Sequence, residues 1–238
     1  MIKPEKMING TKWIETIQIN ADERKILKNK YGIDEDIIEY VTDKDESTNY
    51  VYDINEDDQL FIFLAPYALD KSALRYITQP FGMLLHKGIL FTFNQSHIPE
   101  VNAALYSARD NPEVQNVDSF ILETLFAVVD SYIPISRGIT KKRNYLDKTL
   151  NKKTKNSDLV SLSHLQQTLT FLSSGVQTNL SELNRLPKTH LVTMPIRTRS
   201  IYLKMFKLKE NRFNECLKLK PRWSIELTIP SIVLPIII

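Results

Sequence analysis

The stretch Gln59–Gln95, QLFIFLAPYALDKSALRYITQPFGMLLHKGILFTFNQ, decides the fold class. Leu60–Ala65 (LFIFLA) is an unbroken apolar run and reads as a buried strand. Arg75–Ile77, Phe81–His86 and Ile89–Phe93 read as further strands, with a tight Lys87-Gly88 turn between the last two. Working outward, Asn49–Asp53 (NYVYD) is a strand, and Ile54–Asp58 (INEDD) links it to Leu60 as a hairpin loop.

Towards the N-terminus, Trp13–Asn20 (WIETIQIN) alternates. Trp13, Glu15, Ile17 and Ile19 fall on one side, and Ile14, Thr16 and Gln18 on the other. Ala21–Lys30 reads as a helix closed by Tyr31-Gly32. Asp34–Val41 reads as a second, short helix with acidic residues at its N-terminus, where the helix dipole favours them.

Towards the C-terminus, Pro99–Ala108 reads as a helix, and then the period changes. Val117–Leu150 carries one broad apolar side, with Pro134 inside it as a potential kink. Ser157–Leu186 carries a leucine stripe that includes Leu159, Leu162, Leu165, Leu169 and Leu172. The short basic turn Asn151–Asn156 joins the two as an antiparallel hairpin. The stripe packs on the preceding helix in the simplest reading; a coiled-coil partner surface is the other. The expected class is α+β: an α/β/α sandwich with a mixed sheet, followed by a long helical hairpin. The expected divisions are 1–115, 116–187 and a tail, 188–238.

The chain has 238 residues and a net charge of +3, but the charge is split. Residues 1–138 hold 13 basic and 22 acidic side chains; residues 139–238 hold 18 and 6. A basic half can serve nucleic acid or an anionic membrane face. No aromatic platform or nucleic-acid motif accompanies it, so the expected reading is a solvated face or one that meets an acidic partner, and no nucleic acid. One cysteine, Cys216, excludes an intrachain disulfide framework. Met1–Thr11 is polar and unlike a secretory signal. The most apolar stretch, Leu227–Ile238, is interrupted by Pro230 and Pro235 and is too short to span a bilayer, so no span is expected.

No catalytic constellation emerges. His86, His97, His164 and His190 show neither i, i+4 pairing nor a His-Glu-x-x-His context. Ser174-Gly175 is not part of a Gly-x-Ser-x-Gly elbow. The chain is read as no enzyme and without a cofactor. Acidic side chains crowd two neighbouring loops. Asp43, Asp45, Glu46, Asp57 and Asp58 are the candidate metal ligands, because hard divalent cations take carboxylate oxygens. The plainer reading is that these are solvated loop acids.

This order of elements resembles the cytosolic N-terminal part of the CorA family of divalent-cation transporters. The resemblance rests on Trp13–Gly32, on Gln59–Gln95 with its GILFT-type edge, and on Ser119–Lys153, and it covers about residues 10–187. It implies a homopentamer at the cytoplasmic face of the plasma membrane that passes Mg²⁺, and often Co²⁺ or Ni²⁺. It implies Mg²⁺ as the regulatory ion, held between cytosolic domains by acidic groups. The family's Gly-Met-Asn triplet is not found: Gly82-Met83 is followed by Leu84. The chain is therefore expected to represent the cytosolic regulatory part, cytoplasmic when alone. The alternative is a soluble module that associates with intact family members.

From about residue 190 the chain loses its periodicity. Read one frame over, Ile201–Lys209 permits LLEDVQIE and Lys218–Ile238 permits IEAEMVDRIDNTFNSIANNN. Both strings resemble the family's stalk helix, so an out-of-frame tail beginning between Leu186 and Ile201 is expected.

Overall fold

In a computed structural model the structure describes residues 1–8, 10–150 and 155–185. The chain order is β1 (Lys6–Ile8), β2 (Thr11–Ile17), α1 (Ala21–Tyr31), α2 (Glu35–Thr42), β3 (Asn49–Asp53), β4 (Asp58–Asp70), β5 (Arg75–His86) and β6 (Ile89–Asn94). Three more helices follow: α3 (Pro99–Asp110), α4 (Val117–Leu150) and α5 (Asn156–Arg185). The strands form one sheet in the order β1-β2-β6-β5-β4-β3. Only the β2–β6 pair is parallel; the others are antiparallel, so the sheet is mixed.

Alternation along the strands makes a layered molecule. Ile14, Leu60, Ile62, Leu84, Phe91 and Phe93 face a core closed by Leu27 of α1 and Ile38 and Val41 of α2. Trp13, Phe61, Phe63, Phe81, Met83 and Leu90 face the opposite core, which α3, α4 and α5 close. That larger core is continuous from Trp13 to Leu183. The leucine stripe of α5 packs here on the sheet as well as on α4, and Leu159 lies outside it, 48% exposed. The fold is the expected α+β sandwich with a mixed sheet and a long helical hairpin.

Local chemistry sets the helix ends. The Asn20 side chain accepts from the Asp22 and Glu23 amides, and Glu23 bonds back to the Asn20 amide, completing a capping box on α1. Gly32 ends α1 at φ 74, a left-handed position that glycine adopts without a Cβ clash.

Several elements differ from the sequence reading. β4 and β5 are each much longer than expected, and pair almost throughout as one ribbon. Arg75–Ile77 and Phe81–His86 are parts of the same strand, which runs through Pro80. Ile19 leaves the face of Trp13. Gln18 takes φ 46 just past β2, and this turns Ile19 to the side of Ile14. α4 continues through Pro134, whose ring is exposed. Contrary to expectation, one described segment, Val117–Leu146 of α4, is apolar and long enough to cross a membrane by length and composition. Its apolar window is 61% buried against the rest of the fold, which is how the core helix of a globular layer earns the same pattern. Most of the Asn151–Asn156 turn and the whole 188–238 tail lie outside the described residues.

Candidate functional site

The acidic residues, close in sequence, fall in two loops at opposite ends of β3: Asp43, Asp45 and Glu46 precede the strand, and Asp57 lies in the turn that follows it. Asp43 and Asp45 follow α2; the Asp43 Oδ1 atom accepts the Asp45 amide at 2.9 Å, an Asx turn. Glu46 Oε1 accepts the Ser47 amide at 2.8 Å. Asp57, at φ 56 in the β3–β4 turn, accepts the Tyr52 hydroxyl at 2.8 Å, and this bond pushes the tyrosine's own pKa up. Asp43, Asp45 and Asp57 are exposed. Among the described residues no three His, Cys, Asp or Glu side chains converge as a metal-holding group.

Asp58 behaves differently from its four companions. It opens β4, is 6% exposed, and places Oδ2 2.5 Å from Nδ1 of His86 at the end of β5. The other ring nitrogen of His86 faces the carbonyl of Tyr31, the last residue of α1, at 3.2 Å. Both ring nitrogens thus face oxygen atoms of the protein. The Asp58 Oδ1 atom has no hydrogen-bond partner among the described residues. Of the four histidines that showed no motif in the sequence, His86 is a buried strand residue and His97 is exposed.

A second buried carboxylate lies on the opposite core. Glu15 of β2 is 1% exposed and is bonded by Lys3 at 2.7 Å, Lys6 at 2.9 Å and the Tyr106 hydroxyl of α3 at 2.8 Å. Burial pushes its pKa up, but these three bonds outweigh burial and hold it below the ordinary carboxylate value. Burial pulls the Lys3 pKa down, but the bonds to Glu15 and Tyr106 outweigh it and leave it above the ordinary lysine value. Lys6 also lies over the Trp13 and Tyr106 rings, 4.7 Å from each centroid.

The helical hairpin is fastened to the sheet by polar groups that an apolar stripe does not reveal. Thr168 of α5 accepts the Tyr76 amide at 3.0 Å and donates to the Leu74 carbonyl at 3.2 Å. Asn179, fully buried, bonds both backbone groups of Leu64. Gly175 lies between them, at a point where a Cβ would come within 2.6 Å of Thr78 Cγ2. Residues 168, 175 and 179 fall at seven- and four-residue intervals, so they share one helix face. Tyr132 of α4 donates to the same Leu64 carbonyl at 2.9 Å; burial pushes its pKa far up, so the hydroxyl keeps its proton.

This ribbon, sandwich and hairpin can be compared with known proteins. A profile of the family described as "CorA-like Mg2+ transporter protein" matches residues 9–204. The chain belongs to the CorA-like family. The match runs past residue 187, where the resemblance read from the sequence stopped. The soluble domain of CorA from Methanocaldococcus jannaschii superposes with a TM-score of 0.70 at 17% identity, covering 88% of this chain and 87% of that one. The complete CorA magnesium transporter of the same organism gives 0.68 at 17%, covering 87% and 68%. The ZntB cytoplasmic domain from Vibrio parahaemolyticus gives 0.63 at 12%, covering 87% and 82%. At such identities the likeness is one of fold. No curated protein sequence matches this CorA-like chain.

Proposed function

We propose that this CorA-like chain is the cytosolic regulatory body of a divalent-cation transporter whose cargo is Mg²⁺ or Co²⁺. The observation that carries the reading is the family match across residues 9–204. In this reading copies of the chain assemble as a homopentamer at the cytoplasmic face of the plasma membrane. Mg²⁺ occupancy between copies governs the pore, and the 238-residue chain regulates rather than conducts.

The carboxylates of Asp43, Asp45, Glu46 and Asp57 are the ligands proposed for the regulatory ion. Mg²⁺ prefers oxygen ligands and keeps several of its waters, so one or two carboxylates per copy suffice. In this reading a neighbouring copy completes the set, since the described residues of one chain bring no three such groups together. Asp58 joins them only by leaving His86. For residues 188–238 we propose an out-of-frame origin, on the strength of the two shifted strings; sequencing the gene and the bases that follow it is the direct check.

The functional test has two arms. Cells making only this chain are assayed for Mg²⁺ uptake, and uptake above the empty-vector level defeats the regulatory-body reading. The purified chain is then followed by sedimentation with and without Mg²⁺. Mg²⁺-dependent assembly that is lost in Asp43→Asn/Asp45→Asn/Glu46→Gln is the expected result. Unchanged sedimentation in the wild type defeats the proposed ion site.

A further inference from the structure

The end of the α4–α5 hairpin combines basic charge with exposed apolar groups. The β4–β5 ribbon turns back near Leu74, which packs beside Gly138 on α4 and is bonded by Thr168 on α5. Beyond that level the hairpin runs on to its turn. Leu146 and Leu165 are buried there, so the two helices are zipped by their own apolar contacts. What faces outward is different. Lys141, Lys142, Lys148 and Lys155 are exposed, and none of them makes an ion pair among the described residues. Tyr145 is 62% exposed, Leu159 48% and Val160 54%.

Tyr145 and Leu159 each lie within about two helical turns, roughly 10 Å, of the hairpin turn. A solvated basic face has no use for three exposed apolar side chains at its tip. Lysines attract an anionic surface, and Tyr, Leu and Val sink into the boundary between headgroups and acyl chains. Nucleic acid would account for the lysines but not for Leu159 and Val160. An acidic protein surface would account for both only by presenting an apolar patch of its own.

We propose that this hairpin end docks on the anionic leaflet of the bilayer, with Lys141, Lys142, Lys148 and Lys155 on lipid phosphates and Tyr145, Leu159 and Val160 at the interface. The proposal rests on the transporter reading only for putting a bilayer within reach. The contact ties the far end of the hairpin to the membrane, and the Thr168, Gly175 and Asn179 fastenings tie its other part to the sheet.

The test is co-sedimentation of the full chain with vesicles of phosphatidylcholine alone, and with about one part in three phosphatidylglycerol. Binding to the anionic vesicles only, weakened by salt, is expected. Lys141→Glu/Lys142→Glu/Lys148→Glu/Lys155→Glu is compared with Lys12→Glu/Lys25→Glu/Lys30→Glu/Lys71→Glu, which changes net charge equally on the body of the sandwich. The hairpin variant loses binding by roughly fivefold per lysine, and the body variant retains it. Tyr145→Ser/Leu159→Ser weakens binding without changing its salt dependence. All these positions are exposed, so circular dichroism is expected to show the fold intact. Equal loss in both lysine variants overturns the proposal, since net charge alone then explains it. Full binding by the hairpin variant overturns it too, since the site is then elsewhere. So does a hairpin end that binds only single-stranded oligonucleotide, or one whose charge reversal changes the oligomeric state in the absence of vesicles. None of these readings requires ion transport, so a failed transport assay leaves the test standing.

Discussion

Asn179 pairs with Leu64 as a strand residue would. Its Oδ1 accepts the Leu64 amide at 2.9 Å and its Nδ2 donates to the Leu64 carbonyl at 2.7 Å. The position is where the sheet runs out of partners. β3 ends opposite Ile62, so Leu64, two residues further along β4, has no strand beside it on that side. The Thr48 hydroxyl adds a third bond to Asn179, at 2.8 Å. One side chain from a helix thus completes the backbone pairing of a central strand.

Replacing Asn179 by Leu leaves the Leu64 amide buried with no partner. A cost of about 2–4 kcal/mol is expected in urea denaturation, from the lost bonds and the orphaned donor. Asn179→Asp retains the acceptor but turns a carboxylate on the Leu64 carbonyl, so it is expected to be no better. A loss below about 0.5 kcal/mol in both variants would show that the pairing contributes nothing net.

Gly175 is a packing position. A Cβ there comes within 2.6 Å of Thr78 Cγ2 and 3.1 Å of the Tyr132 hydroxyl. Gly175→Ala is expected to cost about 1–3 kcal/mol, although alanine is the better helix former. Thr78→Ser removes the clashing methyl. The double variant is therefore expected to recover most of the loss, and a double variant as unstable as Gly175→Ala alone would place the strain at Tyr132 instead.

These fastenings mark the limit of what could be read in the amino-acid order. The alternation around Trp13, the apolar run Leu60–Ala65 and the GILFT edge carried the sheet, because burial on two faces leaves a strong pattern. Pro66 and Pro80 made β4 and β5 look shorter than they are. A proline normally ends a central strand, but here Pro66 lies past the end of the β3 register and Pro80 past the end of the β6 register, where no ladder bond is asked of them. Asn179, Thr168 and Gly175 were invisible because the apolar stripe of α5 says where the helix packs, not which polar group reaches the sheet. Of the acidic candidates, the loop composition was legible, but nothing in it separated the buried Asp58 from the exposed Asp43, Asp45 and Asp57. That separation depends on His86, 28 residues away.

Glu15 is expected to contribute to acid sensitivity. Its folded pKa lies below the ordinary value, so its contribution is present above the unfolded pKa, about 4.3, and fades as pH falls through the folded value. Glu15→Gln is expected to lose roughly 2 kcal/mol at neutral pH, the scale of a charge-assisted bond. The gap between variant and wild type should then narrow as the pH drops below about 4. Thermal midpoints across that range check it. Parallel profiles would mean that some other carboxylate titrates.

The Asp58–His86 pair lends itself to a double-mutant cycle. Both side chains are under a tenth exposed, and one Asp58 oxygen has no partner among the described residues. His86→Phe strands the Asp58 carboxylate in the core, and a loss of about 3–5 kcal/mol is expected. Asp58→Leu leaves Nδ1 of His86 without its partner while Nε2 keeps the Tyr31 carbonyl, so its loss is expected to be smaller. The pair Asp58→Leu/His86→Phe replaces both polar groups with apolar ones of similar size and is expected to be more stable than His86→Phe alone. Coupling of about 2 kcal/mol in chemical denaturation is the anticipated reading. Losses that simply add would mean that the two side chains are neighbours without being a pair. The Tyr31 carbonyl at the end of α1 would then be the contact that keeps His86 in place.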